Sequence, residues 1–259
     1  MTRTMTVARL STTPVKGLAL HHPEHLDVDE RRVVGDREFF LVDAAGELIS
    51  CTEIGDLMRV SASYDVGTGR LELHGPDGVL RSEVVVHGEP FVTDFYGLRS
   101  VEGHVVDGWD EVVSAIGGQP LRLVHGETGG FDVAGVTLLG TSSTDDVAAR
   151  NGAAAVDGRR FRMNVELTGA DPHDEDSWAG REVRVGEVVL RAGGQVKRCA
   201  ATTRDPDTGV VDLQTLRMIG VAKGRQSTPE FGDGFYLGIY ADVVTPGRIH
   251  VGDEVELLA

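Results

Sequence analysis

Thirty-four of the 259 residues are glycine, and they punctuate short segments instead of gathering into a linker. Each one is a place where the chain can turn sharply and where a regular element is weakened. A chain punctuated this way is steered toward many short strands. Thr6–Ser11 alternates apolar and polar residues, Glu38–Asp43 is a compact apolar run, and Arg70–His74 alternates again. Gly67-Thr-Gly69 and Gly75-Pro-Asp-Gly78 supply turn chemistry between them. No segment in the first half sustains a helical period, so that half reads as all-β.

Helical signals come later. Asp107 is placed to cap a helix over Trp109–Ile116, whose Val112, Val113 and Ile116 share one face. Ser143 is placed to cap a second over Thr144–Asn151, with Asp146 as the acid of a capping box, and a third is expected around Leu213–Ala222. Strands return at Arg160–Leu167, Arg181–Arg191, Phe235–Val244 and Ile249–Leu258. The pattern predicts a mainly β (α+β) protein: a β-barrel-like domain over 1–105, then a closed or partly closed barrel with a few short helices over 106–259.

Charge narrows the function. Twenty-five Lys and Arg against 41 Asp and Glu leave a net charge of −16, which repels nucleic acid and anionic membranes. No apolar run approaches the ~18 residues that span a bilayer, and Met1–Ala8 lacks the apolar block of a secretory signal. Two cysteines, Cys51 and Cys199, cannot form a disulfide framework or an all-cysteine metal site. These features predict a protein of the reducing cytoplasm that acts on a small molecule. Phosphate-loop, dinucleotide, HExxH and GxSxG motifs are absent. His21, His22 and His25 cluster beside Pro23, where a solvated loop explains them better than a metal site.

One region breaks the acidic balance. Lys197-Arg-Cys-Ala-Ala-Thr-Thr-Arg204 contains no acid, and Arg159-Arg-Phe-Arg-Met-Asn164 is a second cationic knot. Cations gathered around a cysteine point to an anionic ligand and favour the thiolate needed for metal ligation or nucleophilic attack. The competing explanation is a small buried Cys199 with arginines paired to surface acids. Asp205-Pro-Asp-Thr-Gly209 has the composition of a turn.

Arg198-Cys-Ala-Ala-Thr-Thr-Arg-Asp-Pro-Asp-Thr-Gly209 resembles the signature of the MOSC family, named for the molybdenum cofactor sulfurase C-terminal domain. Arg162-Met-Asn164 is similar to that family's FRPN-type strand, Thr141-Ser-Ser143 to its serine-containing loop, and Gly247–Asp253 to its closing strand. Pro14-Val-Lys16-Gly17, Gly35-Asp-Arg37 and Phe39–Asp43 resemble the β-barrel domain that precedes MOSC in the amidoxime-reducing branch. The resemblance implies 1–105 as the MOSC N-terminal domain and 106–259 as the MOSC domain. It makes Cys199 the thiolate ligand of the metal in a molybdenum cofactor (Mo-molybdopterin). Lys16, Arg37, Ser142, Ser143, Arg160, Arg162, Asn164, Arg198, Thr202 and Thr203 would bind that cofactor, and Asp205, at the pocket rim, would join Cys199 as a catalytic residue if it is more than part of its turn. Three positions depart from the family: Met163 for proline, Gly17 for serine, and Thr52 for arginine.

The activity implied is reduction of N-hydroxylated or other N–O substrates, with electrons from an external ferredoxin- or flavin-type donor. No cysteine-rich donor segment and no desulfurase domain are visible in the chain, so pyridoxal phosphate is only an association of the wider family. Two other readings fit a cation-flanked thiol: sulfur transfer through a Cys199 persulfide, and non-catalytic carriage of the cofactor.

Overall fold

The computed structural model describes residues 4–258; residues 1–3 of the N-terminal stretch and Ala259 lie outside them. The fold is mostly β, and its centre is a closed barrel of seven strands. Around the barrel run Met5–Leu10, Val165–Thr168, Val136–Gly140, Tyr236–Thr245, Val188–Lys197, Glu182–Val185 and Glu254–Leu257, which pairs back to the first strand. Closure leaves none of these strands with an unpaired edge. All neighbours are antiparallel except Val136–Gly140 and Val165–Thr168. That parallel pair needs a crossover; the three helices are α1 Asp110–Gly117, α2 Thr141–Arg150 and α3 Thr215–Lys223. The crossover runs through α2. Leu10, Leu138, Val165, Leu167, Trp178, Val183 and Leu190 fill the barrel, each 0% exposed.

The first half forms two further sheets. One has five strands, ordered Leu48–Ile49, Phe39–Asp43, Leu121–Gly126, Arg99–Val106 and His87–Phe95; the other has three, Ser61–Asp65, Arg70–Gly75 and Gly78–Val84. Phe39, Leu41, Leu57, Leu71, Leu73, Trp109 and Leu123 join both sheets and α1 in one core.

Strand pairing crosses the 105/106 position in both directions. Met5–Leu10 belongs to the barrel and Leu121–Gly126 to the five-stranded sheet, where it pairs with Phe39–Asp43. Long-range pairing decides this, and it leaves no local composition signal. Helix α1 begins after Trp109 with no side-chain cap, so Asp107 does not cap it. Helix α2 begins at Thr141 after Gly140, which puts Ser143 inside the first turn instead of at its cap. Asp146 bonds Arg150 and His173 in place of a capping box. Arg160–Leu167 is not one strand: Gly158–Phe161 is a 3-10 turn, Arg162 has left-handed φ 54°, and the strand starts at Val165. Arg181–Arg191 folds as a hairpin, and Ile249–Leu258 is split between Gly247–His250 and Glu254–Leu257. The three clustered histidines diverge. His21 bonds Ala62 O, His22 bonds Ser11 Oγ and Leu10 O, and His25 stacks near His250.

Candidate functional site

The first-half sheets and the barrel meet along an open cleft of about 840 Å³. Two glycines let the backbones close on each other there. A Cβ on Gly209, which has φ +72°, would stand 1.9 Å from Gly55 O, so the turn after Thr203 sits directly on the Gly55 loop. Arg204 fastens the same junction, its Nη1 donating to Gly209 O at 2.9 Å and its Nη2 to Thr52 O at 3.0 Å. The Asp205–Gly209 turn thus docks the cysteine loop against the first half.

Cys199 follows the long strand Val188–Lys197 and is exposed. Its sulfur lies 3.6 Å from Thr52 Oγ1, a contact between the two halves. Cys51, the other cysteine, also lines the cleft but is buried. Lys16, Arg37, Arg160, Arg162, Lys197 and Arg198 line the cleft against only Asp36 and Asp132. A chain of net charge −16 therefore presents a cleft with six cations and two carboxylates.

The cations are held in different ways. Lys16 is buried and bonded to Asp132. Desolvation pushes the Asp132 carboxyl up, but Lys16, Arg37 and Arg99 together outweigh it and hold the carboxyl below the usual range. Arg37 pairs with Asp36 and donates to Arg162 O at 2.8 Å. Arg37 and Arg162 both sit at positive φ, 48° and 54°, a conformation non-glycine residues adopt at a cost of order 1–3 kcal/mol. Arg160 is bidentate to Asp212 at 2.7 and 2.8 Å, while its Nε has no partner. Arg198 has no carboxylate partner among the described residues. Its guanidinium donates to Leu237 O, to Phe161 O at 2.9 Å and to the Met163 sulfur at 2.8 Å. Desolvation pulls it down to about 10, still charged at neutral pH. Desolvation likewise lowers Arg162, whose Nη2 donates to Leu18 O at 2.6 Å. These two guanidiniums leave positive potential unneutralised at the cleft wall.

Cys199, Lys16, Arg37, Arg160, Arg162, Asn164, Arg198 and Thr202 thus come together in one cleft. Asn164 is largely committed within the protein, donating to Asp36 Oδ2 at 2.9 Å and accepting from Thr137 Oγ1 at 3.0 Å. Four other candidates fall outside the cleft lining. Ser143 is fully buried and donates to Glu175 Oε2 at 2.9 Å, because α2 starts two residues before it. Ser142 Oγ is buried without a partner. Thr203 Oγ1 donates to Ala200 O. Asp205 is consumed by its turn, accepting from Asp207 N, Thr208 N and Thr208 Oγ1; these bonds hold it below the ordinary carboxylate range. Residue-level reading missed Asp132, Tyr96, Phe131 and Tyr240 in the lining. Tyr96 and Asp132 stand in connections that carry no motif, so nothing local marks them.

A MOSC domain profile matches residues 125–256. This chain belongs to the MOSC family. Mitochondrial amidoxime-reducing component 1 of Homo sapiens is 30% identical over 82% of this chain and 66% of its own length. The chain thus spans just under two thirds of that relative. Molybdenum cofactor sulfurase of Oryza sativa subsp. japonica is 21% identical over 81% of this chain and 29% of its own length. The crystal structure of YuaD protein from Bacillus subtilis superimposes with TM-score 0.47 and 13% identity, over 98% of this chain and 95% of that one. Within the MOSC family, the profile's span starts in the strand Leu121–Gly126, inside the first-half sheet. No helix among the described residues is long and apolar enough to cross a membrane.

Proposed function

We propose that this MOSC protein is a molybdenum-cofactor-dependent reductase of N-hydroxylated or other N–O compounds. The observation that carries the proposal is an exposed cysteine thiol in a cation-rich cleft of an otherwise acidic chain. The donor set fits the group: a soft thiolate suits molybdenum, and lysine and arginine suit a cofactor phosphate. Cys199 would ligate the metal. Lys16, Arg37 and Arg162 would hold the anionic part of the pterin, and Arg198 would keep the wall positive without giving up a proton. When bound, the cofactor would supply two-electron redox chemistry at the Cys199 end of the cleft. Burial pushes the Tyr240 phenol above its ordinary range, so its OH stays a hydrogen-bond donor to whatever occupies the cleft. Electrons would come from a separate ferredoxin- or flavin-type donor.

Elemental analysis of protein from a cofactor-competent host tests the reading. Near-stoichiometric molybdenum in wild type is expected, with metal and amidoxime reduction both lost in Cys199→Ser. Full activity in that variant, with a donor system supplied, overturns it. The resemblance to a cofactor sulfurase favours one second reading, sulfur transfer through a Cys199 persulfide. It predicts a labile added sulfur on Cys199 by mass spectrometry after incubation with a desulfurase.

A further inference from the structure

Three of the nine histidines converge on the five-stranded sheet, and none of them lines the cleft. They come from three adjacent strands: His87 from His87–Phe95, His104 from Arg99–Val106 and His125 from Leu121–Gly126. Register explains the convergence. His104 stands directly opposite His125, and His87 stands opposite Val106, two residues along from His104. Residues opposite one another, or two apart on a strand, share a face, so all three imidazoles project to the same side. His87 Nε2 lies 2.9 Å from His125 Nδ1, and the ring centres of His87 and His104 are 5.4 Å apart.

Two neutral imidazole nitrogens at that separation share one proton, one donating and the other accepting. A transition-metal ion can take the proton's place with little movement. Zn–N bonds of about 2.0–2.1 Å at a tetrahedral angle put two ligand nitrogens about 3.3 Å apart. The pair therefore needs to open by only about 0.4 Å. His125 is already oriented for this. Its ring centre is 4.4 Å from that of Phe39 and 5.8 Å from that of Tyr64, and its other nitrogen, Nε2, faces Glu38 Oε2 at 3.8 Å. Glu38 is itself fixed by Arg32 Nη2 at 2.8 Å and Gly35 N at 3.1 Å. A carboxylate behind a ligating imidazole orients the ring and strengthens it as a donor. Burial, with the two neighbouring rings, holds His87 below its ordinary range, which favours the neutral form that ligates metal. His104 is the third donor. Its Nδ1 is 3.9 Å from Glu127 Oε1, beyond hydrogen-bonding distance, so its ring is free to turn toward the pair. Among the described residues no three ligating side chains are in place at once; that turn, with water, completes the coordination.

We infer that His87 and His125, joined by His104, bind a divalent transition-metal ion of the Zn2+ class on the face of the five-stranded sheet. The ion would tie His87–Phe95 to Leu121–Gly126 across the strand between them. The site is independent of the reaction proposed for the cleft.

The purified full chain, labelled with 15N at histidine and treated with a chelator, is titrated with ZnCl2 and with MgCl2 while long-range 1H–15N spectra follow each ring. Zn2+ should shift the His87 and His125 ring nitrogens saturably at one ion per chain, and Mg2+, which prefers oxygen ligands, should not. His87→Gln, at an exposed position, is expected to weaken Zn2+ by at least about tenfold, since losing even a ligand's hydrogen-bonding partner costs that much. Two controls should leave the affinity unchanged: Cys199→Ser, which removes the exposed thiol, and His25→Gln, which removes the His25–His250 pair with rings 5.7 Å apart. The inference is overturned by no saturable shift at His87 and His125, by an equal response to Mg2+, by affinity that survives His87→Gln, or by affinity lost in either control.

Discussion

At the residue scale, the backbone around the cleft is more constrained than its side chains. Gly17 has φ +91°, and a Cβ there would stand 2.9 Å from Cys51 N. This glycine replaces the family's serine, and here the local backbone excludes that serine. Gly17→Ser is expected to lower stability by about 1–3 kcal/mol, read as a lower urea midpoint; an unchanged midpoint would show that the loop at Cys51 yields freely. The same constraint bears on Cys199. Its neighbour Thr52 is fixed through its carbonyl by Arg204 and through its amide by Ser50 Oγ at 3.1 Å. The hydroxyl facing the sulfur is therefore positioned by backbone bonds, not by a motif around the cysteine.

At the element scale, helix α2 shows how a buried acid can replace a cap. Glu175 is 0% exposed and accepts from Ser143 Oγ at 2.9 Å and Gly140 N at 3.4 Å, at the start of the helix. Burial raises its carboxyl above the ordinary 4.5. The folded state then holds the proton more tightly than the unfolded chain does. The stabilising contribution is complete below about 4.5 and is lost as pH rises through the folded value. Glu175→Gln cannot ionise, so its stability relative to wild type should improve steadily from pH 4 toward pH 7 (about the carboxylate titration range). Parallel urea curves for the two proteins across that range test the sign; a constant gap refutes it. Arg204 is the matching case between elements. Arg204→Ala removes the bonds to Gly209 O and Thr52 O, and a loss of about 2 kcal/mol is expected from a charged donor with two acceptors, measured by chemical denaturation.

At the scale of the whole molecule, the barrel takes its first strand from the N-terminus. Met5–Leu10 pairs with Val165–Thr168 on one side and Glu254–Leu257 on the other. A fragment 106–259 would lack that strand and expose two barrel edges, and it would carry Leu121–Gly126 without its partner Phe39–Asp43. Such a fragment should show no cooperative thermal transition by circular dichroism. A sharp melt would mean that the barrel closes on itself without the first strand.

Much of the element content and the chemistry around Cys199 was legible in the sequence, because both are local. Alternating runs between glycines determine strands, and a motif of adjacent residues determines which cations flank the thiol. Arg162, Arg198 and Cys199 could be named this way, as could Lys16 and Arg37 through resemblance. What sequence order could not convey is which distant segments pair. The left-handed turn at Arg162 interrupts an apparent strand, α2 starts two residues before Ser143, and Asp132 reaches Lys16 across 116 positions. The barrel's first strand and the cleft's full lining were decided only by the tertiary structure, since closure pairs residues by hydrogen bonds between segments that share no local signal.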